Sequence, residues 1–245
     1  MELKNKTILI TGGGSGIGYE TARLLGENNK VIIIGRNAEK LQKAAASLKN
    51  VDAFACDVTD DAAVKTLVHN LETNYPGLSV LVNNAGKAFK YDHGEKANAY
   101  EKAAQEINTN YLSVLRLTEY LLPLLKKQPE AAIVNVTSIV ALSPASIIPT
   151  YSDSKAALHS YTLSLRKALS ETNIMVFELQ PPTVNTEFAR EIGGKTRGIP
   201  AADVAKALIE GVENNVIEIG VGMTIPFAKN YFPQRLEAFS AMNSR

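Results

Sequence analysis

Short runs of β-branched apolar residues alternate along the chain with longer segments whose apolar positions follow a helical period. The short runs predict strands near residues 6–11, 30–35, 52–56, 78–83, 131–138, 174–180 and 216–220. The periodic segments predict helices near residues 16–28, 38–48, 60–74, 98–127, 151–172 and 201–214, the fourth with a break near Asn108. This alternation is typical of βαβ units, so we expect an α/β fold: a doubly wound parallel sheet with helices on both faces.

Neither a repeat nor a linker rich in Pro, Gly and Ser divides the chain, which predicts a single domain over residues 1–245. The least regular stretches, near residues 87–97 and 182–200, each follow a predicted strand. Ligands of open parallel sheets bind at the carboxyl ends of the strands, so we expect these two stretches to be substrate loops. Residues 221–245 form a C-terminal extension that could cover a substrate cleft, pack on another subunit or touch a membrane surface.

The composition excludes several classes of function. A formal net charge of +1 gives no basic surface for nucleic acid, and no apolar run reaches the roughly 18 residues of a membrane span. The amino-terminal MELKNK lacks the apolar segment of a signal peptide, and Cys56, the only cysteine, excludes an internal disulfide. We therefore expect a cytoplasmic protein. Three scattered histidines and no cysteine cluster predict no metal site.

The glycine-rich stretch TGGGSGIG, residues 11–18, follows the first predicted strand and leads into the first predicted helix. The start of a helix offers free N–H groups and the positive end of the helix dipole, which suit a pyrophosphate, and glycine lets the ligand come close. The spacing is G-x-x-x-G-x-G, because Ile17 stands where G-x-G-x-x-G requires glycine. The alternative is a flexible turn without a ligand. The expected cofactor contacts are Gly12, Gly14, Ser15, Gly16, Ile17 and Gly18.

The end of the second predicted strand reads Gly35-Arg36-Asn37, with no acidic residue. An acid at this point binds the ribose 2′-hydroxyl of NAD, whereas a guanidinium suits the 2′-phosphate of NADP. Arg36 therefore favours NADP as cofactor, with NAD less favoured. The alternative is a solvated arginine at a strand end.

A second group of chemically suited residues lies later in the chain. Tyr151 and Lys155 are one helical turn apart, so they share a helix face, and a cation beside a phenol favours the phenolate. Ser138, at the end of the preceding strand, could donate a hydrogen bond to a substrate oxygen. Tyr-x-x-x-Lys alone is also common on exposed helix faces.

Taken together, TGGGSGIG, NNAG at 83–86, Ser138 and YSDSK at 151–155 resemble the short-chain dehydrogenase/reductase family in order and spacing, over nearly the whole chain. The resemblance implies one Rossmann-type domain with a seven-stranded parallel sheet. It also implies that Tyr151 is the catalytic acid/base, that Lys155 binds the nicotinamide ribose and lowers the tyrosine pKa, and that Ser138 orients the substrate carbonyl.

Further roles follow from the same resemblance. Asn110 is implied to hold a water in a proton relay to Lys155, with Asn108 as the alternative, a helix-capping or kinking residue. Asn83 supports the cofactor pocket or ties neighbouring strands together. The other implied cofactor contacts are Asp57 and Val58 at the adenine, and Asn84, Ala85, Gly86, Pro181, Val184 and Thr186.

One departure from the family pattern is Pro182, which stands where the family usually has glycine. Proline fixes φ and lacks an N–H, so the loop beside the nicotinamide cannot take a glycine-only conformation. The Pro-Pro pair and the segment Ile217 to Gly222 are similar to a bacterial branch of the family named for an oxidoreductase encoded with D-alanyl-lipoteichoic acid genes.

The function implied is NADP-dependent hydride transfer between nicotinamide and a carbonyl or secondary alcohol. The alternatives are a non-catalytic NADP-binding sensor or scaffold, and an epimerase or dehydratase. The family often forms homodimers or homotetramers through the helices near 98–127 and 151–172, where Leu158, Leu163, Leu165 and Leu169 could serve the interface or the core. The small-molecule pocket is expected to have apolar walls from Phe89, Tyr91, Tyr111, Val140, Pro144 and Phe188.

Overall fold

Seven parallel strands form one sheet in the computed structural model, which describes residues 1–92, 94 and 96–231. The strands are β1 (Thr7–Thr11), β2 (Lys30–Gly35), β3 (Val51–Ala55), β4 (Leu78–Asn83), β5 (Ala131–Val136), β6 (Ile174–Gln180) and, last along the chain, β9 (Glu218–Gly220). Their order in the sheet is β3-β2-β1-β4-β5-β6-β9. The direction of winding therefore reverses between β1 and β4, the place where open α/β sheets bind ligands. A separate two-stranded ribbon pairs β7 (Val184–Asn185) with β8 (Ile199–Pro200).

Helices connect these strands. They are α1 (Gly16–Leu25), α2 (Ala38–Ala46), α3 (Asp61–Asn74), α4 (Ala99–Ile107), α5 (Ser113–Lys126), α6 (Pro149–Ala168), α7 (Gly194–Arg197), α8 (Ala201–Glu213) and α9 (Thr224–Tyr231). A π-helical turn, Asn108–Leu112, joins α4 to α5, and 3₁₀ turns cover Ile139–Ala141 and Arg190–Ile192. None of the helices within the described ranges is long and apolar enough to cross a membrane.

Two hydrophobic clusters cover the two faces of the sheet. Alternate residues of β1 enter opposite clusters: Ile8 and Ile10 pack beneath α1, α2 and α8, whereas Leu9 packs beneath α3, α5 and α6. Because both faces are buried, the strands contain continuous apolar runs such as Val31 to Ile34. The predicted doubly wound Rossmann-type fold is confirmed.

The structure refines the predicted elements at particular points. β5 ends at Val136, two residues before the predicted end, and Ser138 instead begins the following 3₁₀ turn. The predicted break near Asn108 is the π-helical turn. The stretch 182–200, expected to be irregular, contains β7, α7 and β8. Residues 232–245 of the C-terminal extension lie outside the described residues.

Three of the four leucines considered for a subunit interface belong to the core. Leu165 and Leu169 pack in the cluster beneath α3, α5 and α6, and Leu158 is 1% exposed. Leu163 alone among them is half-buried. The physical reason is that α6 turns this stripe toward the sheet, so these side chains do not argue for assembly. A homodimer or homotetramer stays a prediction.

Candidate active site

A cleft of about 570 Å³ lies beyond the carboxyl ends of the strands, beside the reversal between β1 and β4. It brings together nearly all of the residues selected from the sequence. Those that line it are Gly12, Gly14, Ser15, Gly16, Ile17, Arg36, Asp57, Val58, Asn84, Ala85, Gly86, Ser138, Tyr151, Lys155, Pro181, Val184 and Thr186. Gly18 and Asn110 do not line it, since both are buried behind its wall.

The glycine turn is shaped by backbone conformation and by close packing. Gly16 has a φ of +58°, a left-handed conformation that favours glycine, and a Cβ there would lie 3.0 Å from Thr186 Cγ2. Gly18 is needed for a different reason: a Cβ at this position would lie 2.6 Å from the Gly12 carbonyl oxygen. Gly18 therefore lets α1 pack closely on the turn, which is a structural contribution behind the cleft.

The start of α1 differs from the starts of the next two helices. Asn37 caps α2 by accepting a hydrogen bond from Lys40 N, and Asp60 caps α3 by accepting bonds from Ala62 N and Ala63 N. Ser15 makes no such side-chain bond at the start of α1. The first N–H groups of α1 are thus left without a side-chain cap where Ser15, Gly16 and Ile17 line the cleft.

Arg36 and Asp57 stand on the same part of the cleft wall, at the ends of β2 and β3. Burial favours a raised pKa for Asp57, but hydrogen bonds from Thr59 N and Oγ1, at 2.9 and 2.7 Å, and the charge of Arg36 together hold that pKa below its ordinary value. Asp57 is therefore ionised at neutral pH. No acid from the end of β2 competes with Arg36 for a ligand at this wall.

Two asparagines at the end of β4 have separate tasks. Asn84 Nδ2 donates to Thr11 O at 2.9 Å, which joins the ends of β1 and β4 beside the glycine turn. Asn83 Nδ2 donates to Asn135 Oδ1 at 2.9 Å and is 2% exposed, so it ties β4 to β5 inside the protein. Of the two roles considered for Asn83, the structure supports the tie between strands.

Ser138, at the start of the 3₁₀ turn after β5, lines the cleft together with Tyr151 and Lys155 of α6. The Lys155 ammonium nitrogen lies 5.7 Å from the centre of the Tyr151 ring and donates to Val136 O at 2.8 Å. The Ser138 hydroxyl donates to Pro181 O at 3.5 Å and accepts from Val140 N at 3.3 Å. All three side chains are less than one-tenth exposed.

Burial dominates the protonation of this group. It raises the pKa of Tyr151 above its ordinary value of about 10, although the nearby Ser138 hydroxyl opposes the shift. Burial also lowers the pKa of Lys155 to about 8. The ammonium group of Lys155 donates to the Val136 carbonyl beside the Tyr151 ring. The lowering of the tyrosine pKa by Lys155, implied by the resemblance, stays a prediction.

Asn110 lies within the π-helical turn and is fully buried. Its Oδ1 accepts from Lys87 N at 2.7 Å, and its Nδ2 donates to Lys87 O and to Ser154 Oγ, both at 2.8 Å. The side chain thus holds the segment after β4 against α6. Asn108, the alternative, does line the cleft. The water-holding role of Asn110 stays a prediction.

The loop after β6 closes one side of the cleft despite the proline pair. Pro182, Thr183 and Phe188 line the cleft, and the Phe188 ring centre lies 5.8 Å from that of Tyr151. Farther along, Glu187 forms an ion pair of 2.7 Å with Lys40, which joins this loop to α2. The loop therefore reaches both the phenol and the glycine turn.

Only some of the apolar residues that were expected to line the cleft do so in the structure. Val140 and Phe188 line the cleft, and Ile139, Ile148 and Ile192 join them. Tyr91 is 8% exposed and donates to Thr150 Oγ1 at 3.0 Å, and the Tyr111 ring packs edge-on against Tyr161. Both rings are engaged by neighbouring helices, which takes them off the wall.

The sequence analysis did not select two charged residues that lie near the cleft. Lys87 lines it directly after Gly86, and Glu106 is fully buried on α4 behind the segment that follows β4. Lys87 could have been noticed as the cation next to NNAG, and Glu106 as the residue four positions before Asn110. Within the described ranges, no group of three or more His, Cys, Asp and Glu residues could hold a metal ion.

Comparisons with known proteins agree with this geometry. A family model described as short chain dehydrogenase matches residues 6–197. The uncharacterized oxidoreductase DltE of Bacillus subtilis (strain 168) is 40% identical over 224 residues, 89% of each chain, which agrees with the resemblance to that branch.

Among solved structures, a short chain dehydrogenase from Burkholderia cenocepacia J2315 in complex with NADP has a TM-score of 0.84 at 24% identity, covering 99% of this chain and 98% of its own. A 3-ketoacyl-(acyl-carrier-protein) reductase from Brucella melitensis complexed with NADH has a TM-score of 0.81 at 26% identity, covering 90% and 98%.

Proposed function

This chain belongs to the short-chain dehydrogenase family and is an oxidoreductase of that family, and from this premise we propose that it uses NADP to reduce a carbonyl or oxidise a secondary alcohol. The observation that carries the proposal is that one cleft is lined both by the glycine turn and by Ser138, Tyr151 and Lys155. A dinucleotide held at one end therefore has acid/base groups at the other.

The residues present suit a dinucleotide. The uncapped start of α1 offers N–H groups and a positive dipole end for the diphosphate, and the left-handed Gly16 keeps a side chain out of its path. When bound, the nicotinamide supplies or accepts the hydride. The protein supplies binding, orientation and a proton.

The preference for NADP rests on Arg36. The similar solved structures contain NADP in one case and NADH in another, so they do not choose between the two for this chain. A guanidinium can bind a 2′-phosphate through two parallel hydrogen bonds. Asp57 accepts its hydrogen bonds from Thr59, and none of the described ion pairs joins Arg36 to a carboxylate.

Tyr151 is proposed as the group that moves the proton. Its raised pKa keeps the phenol neutral at pH 7, the form that can protonate an alkoxide developing from a carbonyl. Ser138 lines the same cleft and is proposed to donate a hydrogen bond to that oxygen. Lys155, with a pKa of about 8, is mostly protonated at neutral pH and gives this buried site a positive charge.

The chemistry can be tested with a panel of aldehydes, ketones, secondary alcohols and sugar alcohols. Each compound is mixed with enzyme and NADPH or NADP⁺, and the absorbance of the reduced nicotinamide is followed, with NADH and NAD⁺ run in parallel. We expect NADP-linked turnover of carbonyl compounds with apolar substituents, because Val140, Phe188 and Ile192 line the cleft. Tight binding of dinucleotide with no turnover across the panel would instead favour the sensor or scaffold alternative.

A further inference from the structure

Glu106 is a fully buried carboxyl group that none of the roles proposed above uses. Burying a carboxylate costs free energy unless hydrogen bonds compensate it, so both oxygens of Glu106 are expected to have partners. Its Oε1 accepts a hydrogen bond from Phe89 N at 2.7 Å. Its Oε2 accepts from the hydroxyl of Thr150, the residue directly before Tyr151.

These contacts join two walls of the cleft. Segment 87–91 begins with Lys87, which lines the cleft, and the first turn of α6 contains Tyr151. Tyr91 completes the link, because its hydroxyl donates to Thr150 Oγ1 at 3.0 Å and its backbone N donates to Ile147 O at 3.2 Å. Glu106 stands at the centre of this network and touches both partners at once.

We propose that Glu106 is a positioning residue for the reaction: its carboxyl group fastens segment 87–91 to the first turn of α6 and so fixes where Lys87 and Tyr151 stand in the cleft. The inference rests on the proposed function, since it needs Tyr151 to act on the substrate. It assigns Glu106 no contact with substrate or cofactor.

The charge of Glu106 gives the network an electrostatic consequence. Burial raises the pKa of Glu106, with Asp153 adding to the shift and Lys87 opposing it, while bonds from Thr150 and Phe89 favour the ionised form. The ionised carboxylate in turn contributes to the raised pKa of Tyr151. Replacing it by a neutral group of the same shape should lower the Tyr151 pKa, whereas a residue of purely structural importance would leave it unchanged.

The test compares Glu106 with Glu101, an exposed glutamate on the same helix. The variants are Glu106→Leu, Glu106→Gln, Glu101→Leu and Glu101→Gln, each saturated with NADPH or NADP⁺. Three quantities are measured: amide hydrogen exchange of residues 87–91, kcat and KM for the best substrate of the panel, and the pH dependence of alcohol oxidation. Leucine removes both hydrogen bonds. Glutamine carries no charge, and its oxygen can still accept from Phe89 N while its amide nitrogen donates to Thr150 Oγ1, which reverses the direction of that bond.

We expect Glu106→Leu to speed amide exchange in segment 87–91 about tenfold or more and to lower kcat/KM about 100-fold, with dinucleotide affinity close to that of the wild type. Glu106→Gln should recover most of this loss and shift the rising limb of the oxidation profile to lower pH. The Glu101 variants should behave as the wild type. If Glu106→Leu does not fold, Thr150→Val cuts the same link from α6 and should raise the exchange of segment 87–91.

The inference is overturned if Glu106→Leu, or Thr150→Val in its place, matches Glu101→Leu in exchange and in kcat/KM, or if the pH limb of Glu106→Gln matches that of Glu101→Gln. Failure of the proposed function would be seen elsewhere, as full turnover by Tyr151→Phe. Exchange of segment 87–91 is read without turnover, so the two failures are distinguishable.

Discussion

Lys155 lies one helical turn after Tyr151, with its ammonium nitrogen 5.7 Å from the centre of the phenol ring and 2.8 Å from the Val136 carbonyl oxygen. This places a buried cation next to a buried acid on the wall of one cleft. If the pair acts as proposed, it does so at some expense of stability, because a charged group is held away from water.

The first prediction concerns that expense. Burial lowers the Lys155 pKa from 10.5 to about 8, so below about pH 8 the charged form destabilises the fold, by up to about 3 kcal/mol at 1.36 kcal/mol per pKa unit. Between about pH 8 and 10.5 the unfolded chain binds more protons than the folded one, so this contribution makes stability rise with pH. Lys155→Met should be more stable than the wild type at pH 7 and should lack that rise.

Urea unfolding of the dinucleotide-free protein at several pH values measures the effect. Lys167→Met, an exposed lysine on the same helix, is the control and should follow the wild type. A Lys155→Met protein less stable than the wild type at pH 7 would contradict the assignment of a buried, destabilising charge.

A second prediction concerns the choice of dinucleotide. Gly35→Asp combined with Arg36→Ala should reverse the preference from NADPH to NADH, because it introduces an acid for the ribose hydroxyl and removes the cation for the phosphate. A Cβ at Gly35 would lie 3.7 Å from Leu41 Cδ2, which is ordinary contact, so the aspartate fits. Loss of charged hydrogen bonds should cost NADPH about 10- to 100-fold in kcat/KM.

Steady-state kinetics with both reduced dinucleotides decide this point. Arg23→Ala, an arginine on α1 paired with Glu20, provides the control and should leave the preference unchanged. The role of Arg36 would be refuted by a wild type that prefers NADH, or by a double variant that still prefers NADPH.

A third prediction concerns the glycine turn. Gly16→Ala forces a side chain into a left-handed conformation and brings its Cβ to 3.0 Å from Thr186, so it should lower the free energy of unfolding by about 1–2 kcal/mol and weaken NADPH binding. Gly77→Ala is matched to it, because a Cβ at that position would meet only Thr7 Oγ1 at 3.7 Å. Calorimetric titration with NADPH measures the affinity, and equal affinities in the two variants would contradict a dinucleotide seated on this turn.

The fold was largely predictable because the sheet is covered on both faces. Continuous apolar runs such as that of β2 belong to buried parallel strands, and the helices between them carry apolar stripes. Features that depend on tertiary contact were not predictable in this way. The ribbon of β7 and β8 is only two residues long on each side, and the stripe containing Leu165 and Leu169 suits a core and an interface equally well.

Much of the cleft was also predictable, because parallel strands bring the residues that follow them to one edge of the sheet. For Glu106 the signal is weaker, since only its spacing of four positions before Asn110 singles it out. It is buried where segment 87–91 and the first turn of α6 meet α4, as its bonds with Phe89 N and Thr150 Oγ1 show. Its burial, like the pairing of His159 with Glu178 at 2.9 Å, results from contacts between distant segments.

The most direct test of the central claim is a paired measurement on Tyr151→Phe, which removes the hydroxyl and keeps the ring that packs on Phe188. NADPH affinity and carbonyl-dependent NADPH oxidation are measured in this variant and in the wild type. A positioned proton donor contributes about 10²–10⁴-fold, so we expect turnover to fall by that factor while NADPH affinity stays within about twofold. Turnover close to that of the wild type would contradict the account.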